Sequence, residues 1–261
     1  PHDVLINMLR QFGYPNDALE LCQRFLAVPM KLGNEIQVAH RGVPMDQTLS
    51  GFLAELLMKC CEAHIHQSAR VRIARVVDDI CIYAPSAIEI KKAYRAAQEF
   101  LSANGLKINL EKSGSLAIGA EKPEGLPVGA TRWGMLELGE DAEWRVHEPA
   151  FQTHWQQARE RIEATHSILE RVTLYNANLK YATKSLGLEF DLGEMHRGSI
   201  NDALSKYHNE FFGPGISIVE GIRKTIGERY LNQSQLQTLP ESWVYWPITA
   251  GGLSLQNVLV Q

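Results

Sequence analysis

The sequence predicts an α+β fold, with helices packed on an antiparallel β-hairpin and a mostly helical region after them. Three observations predict it. Ile73-Ala74-Arg75-Val76-Val77-Asp78-Asp79-Ile80-Cys81-Ile82-Tyr83-Ala84 is two runs rich in β-branched and aromatic residues that meet at a pair of aspartates, which reads as a hairpin. On either side of it apolar residues recur at three and four, giving amphipathic helices whose inner faces need a common surface. From about Pro149 the pattern changes to long helical stretches with interleaved Arg, Glu and Gln. A boundary near 147 therefore separates residues 1–146 from 147–261.

Taken in order, His2 to Arg10 has apolar residues at helical spacing and stops at Gly13-Tyr14-Pro15. A second helix starts at Asn16, read as its N-cap, and Ile36 to His40 alternates as a short strand should. From Thr48, the residues Leu49, Phe52, Leu53, Leu56, Leu57 and Cys60 make a largely buried helix. After the hairpin, Ser86 with Glu89 three residues on reads as a capping box, and Gly105 closes that helix. Leu106 to Leu110 and Ser115 to Ile118 read as strands. Residues 121–129 form a Pro/Gly-rich turn region before the strand Arg132 to Leu138. Residues 150–185, 198–212 and 215–238 read as helical, and an aromatic tail begins at Trp243.

Composition narrows the classes. With 45% hydrophobic residues, 261 residues can bury a substantial core in one large domain or two smaller ones. There is no run of about 18 apolar residues and no signal-peptide pattern at Pro1-His2-Asp3, so the chain reads as intracellular, with no membrane partner. Cys22, Cys60, Cys61 and Cys81 form no CxxC pair and read as reduced, mostly buried thiols. Cys60 and His64 lie four apart on one helical face, but one pair of ligands does not make a zinc site. At a net charge of −4, any nucleic-acid partner is expected to need a basic surface, either local or on a segment outside this sequence. Two carboxylates at a hairpin tip suit a hard divalent cation, although Asp-Asp is equally an ordinary solvated turn.

Four segments, in this order, carry a resemblance: Arg41-Gly42-Val43-Pro44-Met45-Asp46-Gln47-Thr48-Leu49-Ser50 before a helix, Val76-Val77-Asp78-Asp79, Gly105-Leu106-Lys107-Ile108-Asn109-Leu110-Glu111-Lys112-Ser113, and Trp133-Gly134-Met135-Leu136. Over residues 2 to 138 the chain resembles reverse transcriptases. Trp246-Pro247-Ile248-Thr249-Ala250-Gly251-Gly252-Leu253 also looks like the domesticated cellular members of that family. The resemblance implies a polymerase palm followed by a helical thumb. It also implies template-directed nucleotidyl transfer by an RNA-directed DNA polymerase using Mg²⁺ or Mn²⁺, with a primed RNA or DNA template and nucleoside triphosphates as partners.

The same resemblance assigns candidate roles. Asp78 is a metal ligand, with Asp79 supporting the turn or the metal shell, and Lys112 lies near the leaving pyrophosphate. Arg41, Gly42, Pro44, Gln47 and Ser50 run under the nascent base pair and template, and Trp133, Gly134 and Leu136 form a primer grip. Arg159, Arg161, Lys180, Lys184, Arg223 and Lys224 are the candidate duplex contacts of the thumb.

Met45-Asp46 departs from the family's usual Gln-Gly, and Gly51 from its frequent proline. A further essential aspartate of the family has no counterpart here, since Asp3 reads as a helix-start charge, so the chain is expected to be an inactive fragment of a longer enzyme. Two other readings stay open: a palm-fold protein that binds nucleic acid or a partner without polymerising, and an RNA-directed RNA polymerase.

Overall fold

The computed structural model describes residues 1–32, 35–44, 47–120 and 124–257. By packing, these divide into two compact units, Pro1–Gly129 and Ala130–Gln261. The mixture of helices and small antiparallel sheets agrees with the α+β reading. Among the described residues no helix is long and apolar enough to cross a membrane.

In the first unit, α1 (His2–Gln11) and α2 (Asn16–Leu26) precede a short hairpin of β1 (Pro29–Leu32) and β2 (Glu35–Val38). The 21-residue α3 (Thr48–Ser68) follows, then the hairpin of β3 (Arg72–Val76) and β4 (Asp79–Tyr83), and then α4 (Ala87–Ala103). α3 takes part in two apolar clusters. Its N-terminal half places Leu53 among Leu5, Ile6 and Leu9 of α1 and Leu19, Cys22 and Leu26 of α2. Its C-terminal half places Cys61 and Ile65 against Ala93, Ala96 and Ala97 of α4, with Ile73, Ile80 and Ile82 of the hairpin packed alongside. Small residues on α4 let the two helices approach closely. Burial pushes the Cys61 thiol up to about 11, which fits the unreactive, reduced cysteine expected there.

Several expectations need correction. α1 packs on α2 and α3, in a different cluster from the hairpin it was expected to cover. Residues 106–110 and 115–118 are not strands. Asn109 turns the chain by accepting from the amides of Glu111 (3.1 Å) and Lys112 (3.3 Å), leaving Leu106 and Leu110 exposed. Ser86 does occupy the N-cap of α4 but makes no side-chain cap bond. The Glu89 carboxylate is taken instead by the amide of Arg70 (2.5 Å) and by Lys92 (2.8 Å). Asn16 is the first helical residue of α2, after Pro15 at the cap. Met45-Asp46 and residues 121–123 of the turn region lie outside the described residues.

The second unit opens with an antiparallel meander of β5 (Thr131–Trp133), β6 (Leu136–Leu138) and β7 (Trp144–Val146). Helices α5 (Glu148–Ala164), α6 (Ile168–Ser185), α7 (Glu194–Asn209), α8 (Ile218–Arg229) and α9 (Gln233–Thr238) follow, and 3₁₀ turns at Glu241–Tyr245 and Ile248–Ala250 end the fold. Residues 150–185, read as one helical stretch, are two helices, because Ser167 starts the second by accepting the Glu170 amide (3.3 Å). The core is aromatic: Phe151, Tyr175, Tyr207 and Phe211 are fully buried and packed on one another. Met135 and Leu136 belong to this same core, so the meander packs with the helices, and the division by packing falls at 129/130.

Candidate active site

β3 and β4 pair in the register Ile73↔Ile82, Arg75↔Ile80, Val76↔Asp79, which leaves Val77-Asp78 as a two-residue turn. Residues opposite each other share a face. Ile73, Ile82, Arg75 and Ile80 therefore line the face toward α3 and α4, while Val76 and Asp79 lie on the other. Asp78 and Asp79 are both exposed, one in the turn and one at the first position of β4. The tip is thus Val-Asp, with the second aspartate in the ladder, rather than an Asp-Asp turn.

Val77 has φ of 56°, in the left-handed region, and is 69% exposed. Two-residue hairpin turns need a positive φ at their first central position because that backbone matches strand twist, and glycine usually supplies it. A β-branched residue there costs on the order of 1–3 kcal/mol and persists only where its surroundings hold it.

Arg75 supplies such a hold. Its side chain is 6% exposed and forms ion pairs with Glu55 and Glu62, both on α3, while Nη1 donates to the carbonyl of Val77 at 2.6 Å. The hydrogen bond from Arg75 holds the Glu55 carboxyl below its usual range. At Glu62 burial pushes the other way, but bonds from Arg75 and Lys59 outweigh it, and the net shift is downward. The two carboxylates hold the Arg75 guanidinium firmly protonated. Sequence reading missed this cluster. Its signals were an arginine at an inward position of the Ile73/Ile80/Ile82 pattern and two glutamates seven apart on one face of a helix.

The other candidates fall as follows. Lys112 is exposed in the turn that Asn109 caps. Arg41 is exposed, and Gly42, at φ of 80°, accepts a bond from His2 Nε2 (2.8 Å), which ties this loop to the start of α1. Pro44 is half-buried, and Gln47 is exposed at the N-cap of α3. Ser50 is 5% exposed, and its Oγ is buried without a hydrogen-bond partner among the described residues.

In the second unit, Gly134-Met135 is the turn between β5 and β6, and Trp133 is half-buried. Leu136 is 3% exposed, a core residue of this unit. Arg161, Lys180 and Lys184 are exposed on α5 and α6, and Arg159 is half-buried. Arg223, by contrast, is spent on the carbonyls of Leu236 and Leu239 (both 3.0 Å), and Lys224 pairs with Glu228 at 4.0 Å.

Asp78 and Asp79 offer hard oxygen donors open to solvent, the donor type Mg²⁺ prefers. Magnesium is commonly held by one or two carboxylates with substrate phosphates completing the shell, and the tip fits that partial role. Among the described residues no group of three or more His, Cys, Asp or Glu could hold a metal ion.

In comparison with known proteins, the family model described as reverse transcriptase (RNA-dependent DNA polymerase) matches residues 1–147. No curated protein matches the chain.

Proposed function

Because the chain belongs to the reverse transcriptase (RNA-dependent DNA polymerase) family, we propose that it takes part in template-directed nucleotidyl transfer, with the Asp78 hairpin as its catalytic element. The observation that carries this reading is the presentation of Asp78 on an exposed two-residue turn whose preceding residue is held in a left-handed conformation. Exposure fits a substrate as large as a primed duplex, which a closed pocket would exclude.

In this reading residues 1–129 act as palm, Gly134 and Trp133 as primer grip, and α5 to α9 as thumb. Asp78 binds a divalent ion together with the substrate phosphates, and Asp79 supports the turn. Lys112 neutralises charge on the departing pyrophosphate. When bound, Mg²⁺ or Mn²⁺ supplies Lewis-acid stabilisation of the attacking and leaving oxygens.

The test is primer extension by the parent protein and by its Asp78→Asn variant. Asp78→Asn removes a ligand of the reacting centre and should lower incorporation on the order of 10³-fold, equivalent to about 4 kcal/mol of transition-state stabilisation. Extension within a few-fold of the parent would move the site elsewhere. The departure of Met45-Asp46 from the family's usual Gln-Gly favours one second reading, a palm-fold module that binds nucleic acid without polymerising. That module would retain duplex binding in both proteins and extend with neither.

A further inference from the structure

Hairpin tips are held by their ladders up to the last paired residues, and here the ladder ends at Val76↔Asp79. Beyond it Val77 adopts a backbone conformation that β-branched residues avoid, and with most of its side chain in solvent it has little apolar packing to compensate. The guanidinium of Arg75 reaches past the end of the ladder to the Val77 carbonyl, and its other nitrogens are fixed by Glu55 and Glu62. Those glutamates lie two turns apart on α3, and α3 is anchored in the interior by Cys61 and Ile65. A rigid helix thus grips, through one planar fork, the residue immediately before Asp78.

We infer that Arg75 is a positioning residue: by tethering the Val77 carbonyl to Glu55 and Glu62 of α3 it stabilises the left-handed turn and sets the direction in which Asp78 is presented. The fork geometry is essential to this role. Arginine offers five donors in one plane and can serve two carboxylates and a carbonyl together, whereas lysine keeps the charge as a single point. The last step of the inference, from turn to chemistry, rests on the reading of Asp78 as catalytic.

The test is a double-variant cycle of Arg75→Lys and Val77→Gly. Arg75→Lys keeps a cation beside Glu55 and Glu62, so the fold survives, but it gives up the fork. Val77→Gly removes the need for a tether, because glycine takes a positive φ without steric cost. Amide hydrogen exchange across residues 76–80 should accelerate about 10-fold in Arg75→Lys, a difference of about 1.4 kcal/mol, while exchange in α3 and α4 stays within about two-fold. In the Val77→Gly background the same lysine substitution should change tip exchange by less than about three-fold, since the two residues act on one conformation.

Nucleotide incorporation should follow the same pattern, with kcat falling about 10-fold in Arg75→Lys and recovering when Val77→Gly is added, at a KM for nucleotide that moves less. A residue that merely stabilised the fold would give equal effects in both backgrounds, and that result overturns the inference. So does a change in tip exchange of less than two-fold, or a coupled tip whose Arg75→Lys variant incorporates nucleotide at the parental rate while Asp78→Asn is inactive. If Asp78→Asn remains active, the catalytic reading fails by itself, and the exchange cycle still decides whether Arg75 holds the turn.

Discussion

Gly134 ties the β5–β6 turn to α6, and replacing it tests that arrangement. It sits at φ of 59°, and a Cβ placed there would lie 3.0 Å from the carbonyl oxygen of Ser185, the group that accepts the Met135 amide at 3.3 Å. Alanine in the left-handed region costs roughly 1–2 kcal/mol. The contact with Ser185 adds to that by pushing the turn off α6, while lost freedom of the unfolded chain returns roughly 0.4–1 kcal/mol. Gly134→Ala should therefore destabilise the second unit by about 1–2 kcal/mol.

Gly198 is the internal control. It lies inside α7, exposed, with open space where a Cβ would go, so Gly198→Ala should stabilise by roughly 0.5–1 kcal/mol. All five tryptophans, at 133, 144, 155, 243 and 246, lie in the second unit, so tryptophan fluorescence reports its melting alone. At roughly 3–5 °C per kcal/mol for a unit of this size, Gly134→Ala should lower Tm by about 3–10 °C and Gly198→Ala raise it by about 2–5 °C. A Gly134→Ala protein melting at or above the parent would refute the left-handed turn docked on Ser185.

Three further outcomes are expected. Phe211→Ala, which empties the centre of the Tyr175–Tyr207–Phe211 cluster, should cost about 3–5 kcal/mol where Phe211→Leu costs far less; similar chemical-denaturation midpoints for the two would contradict that packing. Burial holds His208, as it does His147 and His154, below the usual histidine range, and neutral His208 bridges Tyr175 (3.0 Å) and Tyr245 (2.8 Å). Because the unfolded chain then binds more protons, stability should be full above about pH 6.5 and decline as pH falls through the folded values; a flat tryptophan-monitored Tm from pH 7.5 to 5 would rule this out. Lys180 and Lys184, one turn apart on α6 beside the exposed Tyr181, should contribute roughly two units of the log–log salt slope of duplex binding if both meet phosphates, so a slope unchanged in Lys180→Ala/Lys184→Ala would remove α6 from the nucleic-acid surface.

Much of the fold was legible because local pattern and burial agree in it. The Ile73, Ile80 and Ile82 alternation has α3 and α4 to pack against, so both the hairpin and the helices beside it could be read from the chain. Leu106 to Leu110 alternates equally well, but among the described residues no partner strand meets it and Asn109 bends it, so period alone misled. Ser86 and Glu89 have capping-box spacing, yet Arg70 and Lys92 outcompete the cap for the carboxylate, a tertiary choice that spacing does not encode. The packing division at 129/130 was not legible for a similar reason: which unit β5 to β7 pack with depends on what Leu136 is buried among, not on the helical pattern that begins after them. At the site, the two aspartates and their exposure could be read directly. The arginine behind them could not, because an inward-facing charge reads as an exception to the pattern until Glu55 and Glu62 are seen to meet it.

The double duty of α3 has a consequence for how the first unit comes apart. One helix forms a wall of both apolar clusters, so neither cluster can open fully without stripping half of the helix that closes the other. Fluctuations near α1 and near the aspartate hairpin, which share no direct packing in these clusters, are therefore linked through a common element, and the unit should unravel in a single concerted step rather than in two. A substitution such as Leu53→Ala, well away from Asp78, would then be felt as noise at the hairpin before it was felt as loss of fold.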